Sequence, residues 1–424
     1  MTSAPAAPAD TAPISYPTDL TAGETARARA RLHAMAADLA AAGALRDPRL
    51  RAAFESTWRH PYVPAYYPSK DESPVLCVDP DRRAAWLDAV YSDVTLLTKI
   101  VRVPLSPTLA PATANAYTSS STLPFLLVQM IEKLALQDGN RVLEIGTGTG
   151  YNAALLCARH GATNITTVDI DAELTDLARE RLAANGHHPT VAAIDGSDGY
   201  PDNGPYDRII ATCSVPAIPP AWLHQAAPGA VILADVRGRI GGTLVRLTVD
   251  RDTTADGTVT AEGRFVPYWT GFMAMRHYST APPVGVALTD SVPVRGLTRV
   301  DPALITTPGG FSFALQWQMP DITYGPAVDD DGHPALHVIA DDGGHATIAT
   351  TPDDRGHHRT HEFGTSRIVE RLNTAADLWD RYEEPPSDRF GITATPDHQV
   401  IWLDDPHTGP RWPLPLREGG NRTA

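Results

Sequence analysis

Val142-Leu143-Glu144-Ile145-Gly146-Thr147-Gly148-Thr149-Gly150-Tyr151 is the stretch that decides the fold of this chain. An apolar run suited to a buried strand leads into three alternating glycines, and Asn152-Ala153-Ala154-Leu155-Leu156-Cys157 follows with helical composition. A second β-branched run, Ile165-Thr166-Thr167-Val168, then ends in Asp169. A bare Gly-x-Gly-x-Gly says little, because many doubly wound folds need a tight turn that a ligand can approach closely. A strand, three glycines, a helix and an acid at the tip of the next strand together describe one βαβ nucleotide pocket. In it Asp169 is expected to accept both ribose hydroxyls, with Ile170 beside it.

Two features narrow the nucleotide. A dinucleotide site usually carries Gly-x-Gly-x-x-Gly, with the helix N-terminus aimed at a pyrophosphate. Here the third glycine comes one residue early, and Glu144 stands immediately before the turn. An anion there would repel a pyrophosphate and suits a cationic ligand. S-adenosylmethionine, with its sulfonium and ammonium, fits better than NAD; a glycine turn with no ligand is the competing reading.

The following segments extend the pattern. Val191-Ala192-Ala193-Ile194 ends in Asp195-Gly196, where an acid could meet the adenine amine. Tyr206 to Cys213 reads as a fourth strand, and Ala221 to Gln225 as a short helix leading to the strand-like Pro228 to Ala234. Alternating strands and helices imply an α/β fold with a mostly parallel sheet. Ligands bind beyond the carboxyl ends of such strands, where Glu144, Asp169 and Asp195 all fall.

The chain has 424 residues, enough for two or three domains, and a formal net charge of −15. That charge argues against non-specific binding to nucleic acid or to an anionic membrane, since the field repels phosphates. No apolar run approaches a membrane span, and the N-terminus lacks a basic start with an apolar core. Cys77, Cys157 and Cys213 are widely spaced and read as reduced, buried residues. A cytoplasmic protein is expected.

Residues 1–18 read as disordered, being rich in small residues and proline. Residues 19–117 read as an N-terminal helical segment with a substrate-side insert. It holds a helix over 22–42 with Leu32, Met35, Ala36 and Leu39 on one face, Gly43 as its stop, and a second helix opened by Asp47-Pro48. Residues 60–115 read as loop-rich around a helical piece near Trp86 to Tyr91. The core is expected over 118–277, closed by Phe265-Val266-Pro267-Tyr268, and a C-terminal α+β domain over 278–424. In the latter, 313–318, 336–339, 346–350 and 400–403 read as strands and 366–382 as a helix. The histidines of Gly356-His357-His358-Arg359-Thr360-His361 lack carboxylate or thiolate partners at ligand spacing, so a solvated loop, with no metal, is expected. Trp379, Trp402 and Trp412 read as core or as a peptide-holding surface.

Leu39-Ala40-Ala41-Ala42-Gly43, Asp47-Pro48-Arg49-Leu50 and Arg59-His60-Pro61-Tyr62-Val63-Pro64 resemble the N-terminal segment of protein L-isoaspartyl O-methyltransferases. The family's Thr-x-Ser-x-Pro turn corresponds to Ser120-Ser121-Thr122-Leu123-Pro124, and the spacing to Glu144 fits without a gap. Thr122 therefore stands where the family has its functional serine, a departure that keeps the hydroxyl and adds a methyl. Ser120 or Ser121 takes the role if the turn is shifted. Glu144, Gly146, Thr147, Gly148, Gly150, Tyr151, Asp169, Ile170, Asp195 and Gly196 match the family's cofactor segment.

The resemblance covers about residues 32–270 and implies a Rossmann-like class I methyltransferase that uses S-adenosylmethionine and releases S-adenosylhomocysteine. Trp86 to Asp93 in the insert, with Arg389-Phe390-Gly391-Ile392-Thr393 and Val400 to Pro406 in the tail, resembles actinobacterial homologues associated with modified-peptide gene clusters. This implies a peptide partner: an aspartate in a constrained ribosomal peptide (graspetide, lasso peptide or lanthipeptide), whose methyl ester closes to an aspartimide or opens to isoaspartate. The alternatives are a general enzyme repairing isoaspartate in damaged proteins, a small-molecule methyltransferase, and a binding module without activity. An intact glycine turn followed by both acids argues against the last.

Overall fold

The computed structural model describes residues 15–104, 113–251, 259–276, 288–289, 292–329, 332–414 and 416. Most of the N-terminal stretch expected to be disordered lies outside them. The chain forms two compact units, Met1–Cys213 with His224–Leu233, and Ser214–Leu223 with Ala234–Ala424.

In the first unit the helix Ala22–Ala41 is opened by a capping box in which Thr21 and Glu24 satisfy each other's backbone donors. It buries Leu32, Met35, Ala36 and Leu39 on one face. Pro48–Ser56 follows, with Asp47 as its N-cap and Pro48 in its first turn, where the missing N–H costs nothing. The sheet at the centre runs in the order Tyr206–Val215, Val142–Ile145, Ile165–Asp169, Thr190–Ala193, every pair parallel. Helices Tyr151–His160 and Ala172–Ala184 make the crossovers. All four residues of Val142–Ile145 are buried, as a strand covered on both faces requires.

The stretch 60–115 holds more order than expected. Leu96–Pro104 and Thr113–Ser121 form an antiparallel hairpin, and Arg83–Val90 a helix. The β-branched Ile100, Val101 and Val103 carry the strand signal that the surrounding prolines obscured.

In the second unit Gly242–Arg251 pairs antiparallel with Val259–Trp269, to which Phe390–Ala394, Gln399–Leu403 and Arg411–Pro413 add in turn. The boundary expected at 277 therefore falls inside this unit, because late strands pair with an earlier one. A five-stranded antiparallel sheet follows the order Val294–Thr298, His358–Phe363, His345–Ala349, Pro334–Ala340, Ile322–Val328. Leu336, Val338 and Ile348 on one face share a core with Phe311, Leu315, Ile368 and Leu372 of two helices.

Two expectations are corrected here. Residues 313–318 lie in the helix Gly310–Gln318, not a strand. Phe311 and Leu315 meet the core, while Phe313 and Trp317 pack on Phe265. A helix buried on both sides reads as a continuous apolar run, indistinguishable by period from a buried strand. His358 to His361 of the histidine cluster lie in the strand His358–Phe363, with His358 buried and its Nδ1 2.8 Å from the Ala349 carbonyl oxygen. Among the described residues no helix is long and apolar enough to cross a membrane.

Candidate active site

The turn after Val142–Ile145 needs glycine at each of its three positions. Gly146, Gly148 and Gly150 have φ of 98°, 51° and 90°, the left-handed region that side chains disfavour. A Cβ on Gly146 would lie 2.7 Å from Thr212 Oγ1, and one on Gly150 3.2 Å from Ala178 Cβ. Thr212 Oγ1 donates to the Gly146 carbonyl at 2.7 Å, and Gly146 N–H donates to Val168 at 2.8 Å. The turn is thus held from the strands on both sides.

Glu144 is completely buried. Its Oε1 accepts from Asn152 Nδ2 and its Oε2 from Thr167 Oγ1, both at 2.6 Å. Thr147 Oγ1 lies 2.7 Å from Thr167 Oγ1, so with Thr167 donating to the carboxylate, Thr147 donates to Thr167. Burial pushes the Glu144 carboxyl up to about 7, against these hydrogen bonds. Thr147 is likewise buried, and so is Tyr151, whose ring packs 5.9 Å from that of Tyr62. Glu144, Thr147 and Tyr151 therefore sit beneath the turn and shape it.

Asp169 stands at the end of Ile165–Asp169. Gly148 N–H donates to its Oδ2 at 3.0 Å and Asp171 N–H to its Oδ1 at 3.1 Å. The acid and the middle glycine are thereby locked together, with Ile170 half-buried next to them. Asp195 caps the short 3-10 turn Gly196–Asp198, its Oδ1 accepting from Ser197 N–H at 2.9 Å and Ser197 Oγ at 2.7 Å. Gly196 is buried and Asp195 half-buried.

The three hydroxyl candidates separate by environment. Ser121 is buried, and its Oγ accepts from Arg59 Nε at 3.2 Å. Ser120 and Thr122 are half-buried. The run lies against the glycine turn, since a Cβ on Gly148 would be 3.6 Å from the Ser120 carbonyl oxygen and 3.7 Å from Ser119 Oγ. Leu123 N–H donates to Thr95 Oγ1 at 3.2 Å and Phe125 N–H to Asp93 Oδ1 at 2.8 Å, so the insert caps the helix Pro124–Leu134 that follows.

Sequence reasoning missed three supporting residues. Lys99 Nζ, on the hairpin, donates to Asp171 Oδ2 at 2.8 Å and Glu173 Oε2 at 3.2 Å. Thr212 wedges beneath Gly146, and Arg59 ties several segments to the hydroxyl run. Arg59 was visible as part of the matched N-terminal motif, but its partners are distant in sequence.

The model of the family "Protein-L-isoaspartate(D-aspartate) O-methyltransferase (PCMT)" matches residues 105–271. The protein-L-isoaspartate O-methyltransferase of a Bradyrhizobium species is 38% identical over 191 residues, 42% of this chain and 86% of that protein. The one from Methanosarcina mazei is 40% identical over 129 residues, 30% of this chain, and the match spans 53% of the relative's length. A solved protein-L-isoaspartate O-methyltransferase structure is 19% identical, with a TM-score of 0.48, covering 89% of this chain and 100% of that one. The glycine turn, the parallel strand order and the extent of the Bradyrhizobium match together place the fold among class I S-adenosylmethionine-dependent methyltransferases, and the chain belongs to the protein-L-isoaspartate O-methyltransferase family.

Proposed function

We propose that this chain is an S-adenosylmethionine-dependent carboxyl O-methyltransferase acting on isoaspartyl residues of protein and peptide chains. The observation that carries the reading is the approach of Ser119 and Ser120, which lead into Ser121 and Thr122, to the middle glycine of the cofactor turn. The cradle fits the cofactor: three left-handed glycines leave main chain without side chains, Asp169 is oriented by two N–H groups, and Asp195 stands at a neighbouring strand end. When bound, S-adenosylmethionine supplies a methyl group on a sulfonium, an activated leaving group.

The protein's own part is alignment. The free α-carboxylate of an isoaspartyl residue is ionised at neutral pH, so no general base is required. Holding it in line with the methyl group can contribute about 7–11 kcal/mol through effective molarity. Thr122 has the role of donating a weak hydrogen bond that orients the carboxylate without blunting it. The resulting ester has a good leaving group, and attack by the neighbouring backbone nitrogen gives the succinimide without further help from the protein.

A second reading, methylation of a normal aspartate in a constrained ribosomal peptide with closure to aspartimide, is favoured by one observation. The chain continues well past the matched segment and builds another core there. Tryptophans and acids of that segment are engaged within the protein. Trp402 is buried over Gly391, Trp379 packs on Phe311, Asp404 pairs with Arg389, and Asp405 caps a turn. Mass spectrometry on a linear isoaspartyl peptide, its aspartyl counterpart and a macrocyclic aspartyl peptide separates the readings. The repair reading predicts a gain of one methylene on the isoaspartyl peptide first. Preference for the macrocycle, with later loss of methanol, overturns it in favour of the second.

A further inference from the structure

We infer that Arg59 is a positioning residue for the acceptor: it fixes the Ser121–Thr122 turn and supplies the buried positive charge against which the substrate carboxylate is held. The inference rests on the carboxyl-methylating function proposed above.

Arg59 is entirely buried. Its Nε donates to Ser121 Oγ at 3.2 Å; Nη1 donates to the carbonyls of Val90 at 3.2 Å and Ser92 at 3.1 Å. Nη2 lies 3.0 Å from the Val94 carbonyl, 3.0 Å from that of Ser121 and 3.1 Å from that of Thr122. One guanidinium thus joins the insert to the two residues of the acceptor turn. It also lies 5.8 Å from the centre of the Tyr151 ring, at the start of the helix that follows the glycines. Nε donates to a lone pair of Ser121 Oγ, and that side chain is buried, whereas the hydroxyl of the next residue, Thr122, is half-buried.

Every one of these partners is neutral, and among the described residues no carboxylate oxygen forms an ion pair with Arg59. Asp93 and the phenols of Tyr91 and Tyr151 are the titratable groups that act on it, and Asp93 is engaged by Phe125 N–H. Burial lowers the guanidinium to about 10, so it stays charged at neutral pH. A buried cation whose hydrogen-bond partners are all neutral is costly to keep out of water. A carboxylate arriving beside Thr122 offsets that cost, whereas a neutral amide of the same shape does not.

The test uses the full chain, with Arg59→Met and Arg59→Lys. An isoaspartyl peptide serves as substrate, and the same peptide with the free α-carboxylate of that residue replaced by an amide serves as competitor. Circular dichroism checks the fold and calorimetry the S-adenosylmethionine affinity. We expect wild type to bind the acid over the amide, and Arg59→Met to lose about tenfold or more of that discrimination, with cofactor affinity unchanged. Arg59→Lys should keep the discrimination but lose about 100-fold in kcat, since an ammonium cannot reproduce the fork that places the turn. A folded Arg59→Met with wild-type discrimination overturns the inference. Should that variant fail to fold, wild-type kcat in Arg59→Lys overturns it instead. Wild type that methylates no carboxyl peptide overturns the proposed function itself, and this inference with it.

Discussion

The glycine-turn region, residues 142–169, and the five-stranded sheet, residues 294–363, are built on opposite terms. The first contains groups that ordinary packing avoids: three left-handed glycines, a buried carboxyl raised to about 7, and beside them the buried guanidinium of Arg59. The second alternates apolar residues toward a helix-covered core and keeps charged pairs such as Arg299–Asp377 and Arg299–Asp380 at the surface. Where a region's sequence departs from good packing, the departure points to a ligand. Where it follows good packing, it reveals stability and little about chemistry.

Substitutions should divide along the same line. The largest stability loss is expected in the second region. Ile348→Ala empties a fully buried site and should cost about 2–5 kcal/mol, visible as a lower Tm, with S-adenosylmethionine affinity unchanged. A fall in cofactor affinity would break the comparison. Glu144 should make the first region's stability depend on pH. Its folded value of about 7 lies above the ordinary carboxyl value of 4.5, so the native state holds the proton more tightly. Without ligand, stability should then fall by about 3 kcal/mol as pH rises from 4.5 to 7, and denaturant titrations of Glu144→Gln should lack that fall.

Asp169→Ala should leave the fold intact yet weaken cofactor binding by about 1.5–3 kcal/mol for each ribose hydrogen bond lost, readable by calorimetry. Arg299→Ala is expected to do least, under about 1 kcal/mol by thermal melting, because exposed ion pairs are screened.

The same contrast governs what the sequence revealed. The strand, the three glycines, Asp169 and Asp195-Gly196 were legible because a left-handed turn demands glycine and an acid at a strand tip marks the ligand side. The helix Ala22–Ala41 was legible from its cap and its spacing. Phe313 was misread because a helix buried on two faces loses its period. The paired strands Leu96–Pro104 and Thr113–Ser121 were missed because nearby prolines outweighed their β-branched residues. Arg59 matched a motif, but its role depends on carbonyls some thirty to sixty residues away, and no local pattern encodes such contacts.

The central claim is that the hydroxyl run beside the glycine turn orients a peptide carboxylate for methylation. Methyl transfer from labelled S-adenosylmethionine to an isoaspartyl peptide, measured for wild type, Thr122→Ala and Thr122→Ser alongside cofactor affinity, tests it most directly. The account predicts base-labile methyl ester with wild type, most of that activity in Thr122→Ser, and a large loss in Thr122→Ala at unchanged affinity. Full activity in Thr122→Ala, or no ester formed by wild type, would contradict it.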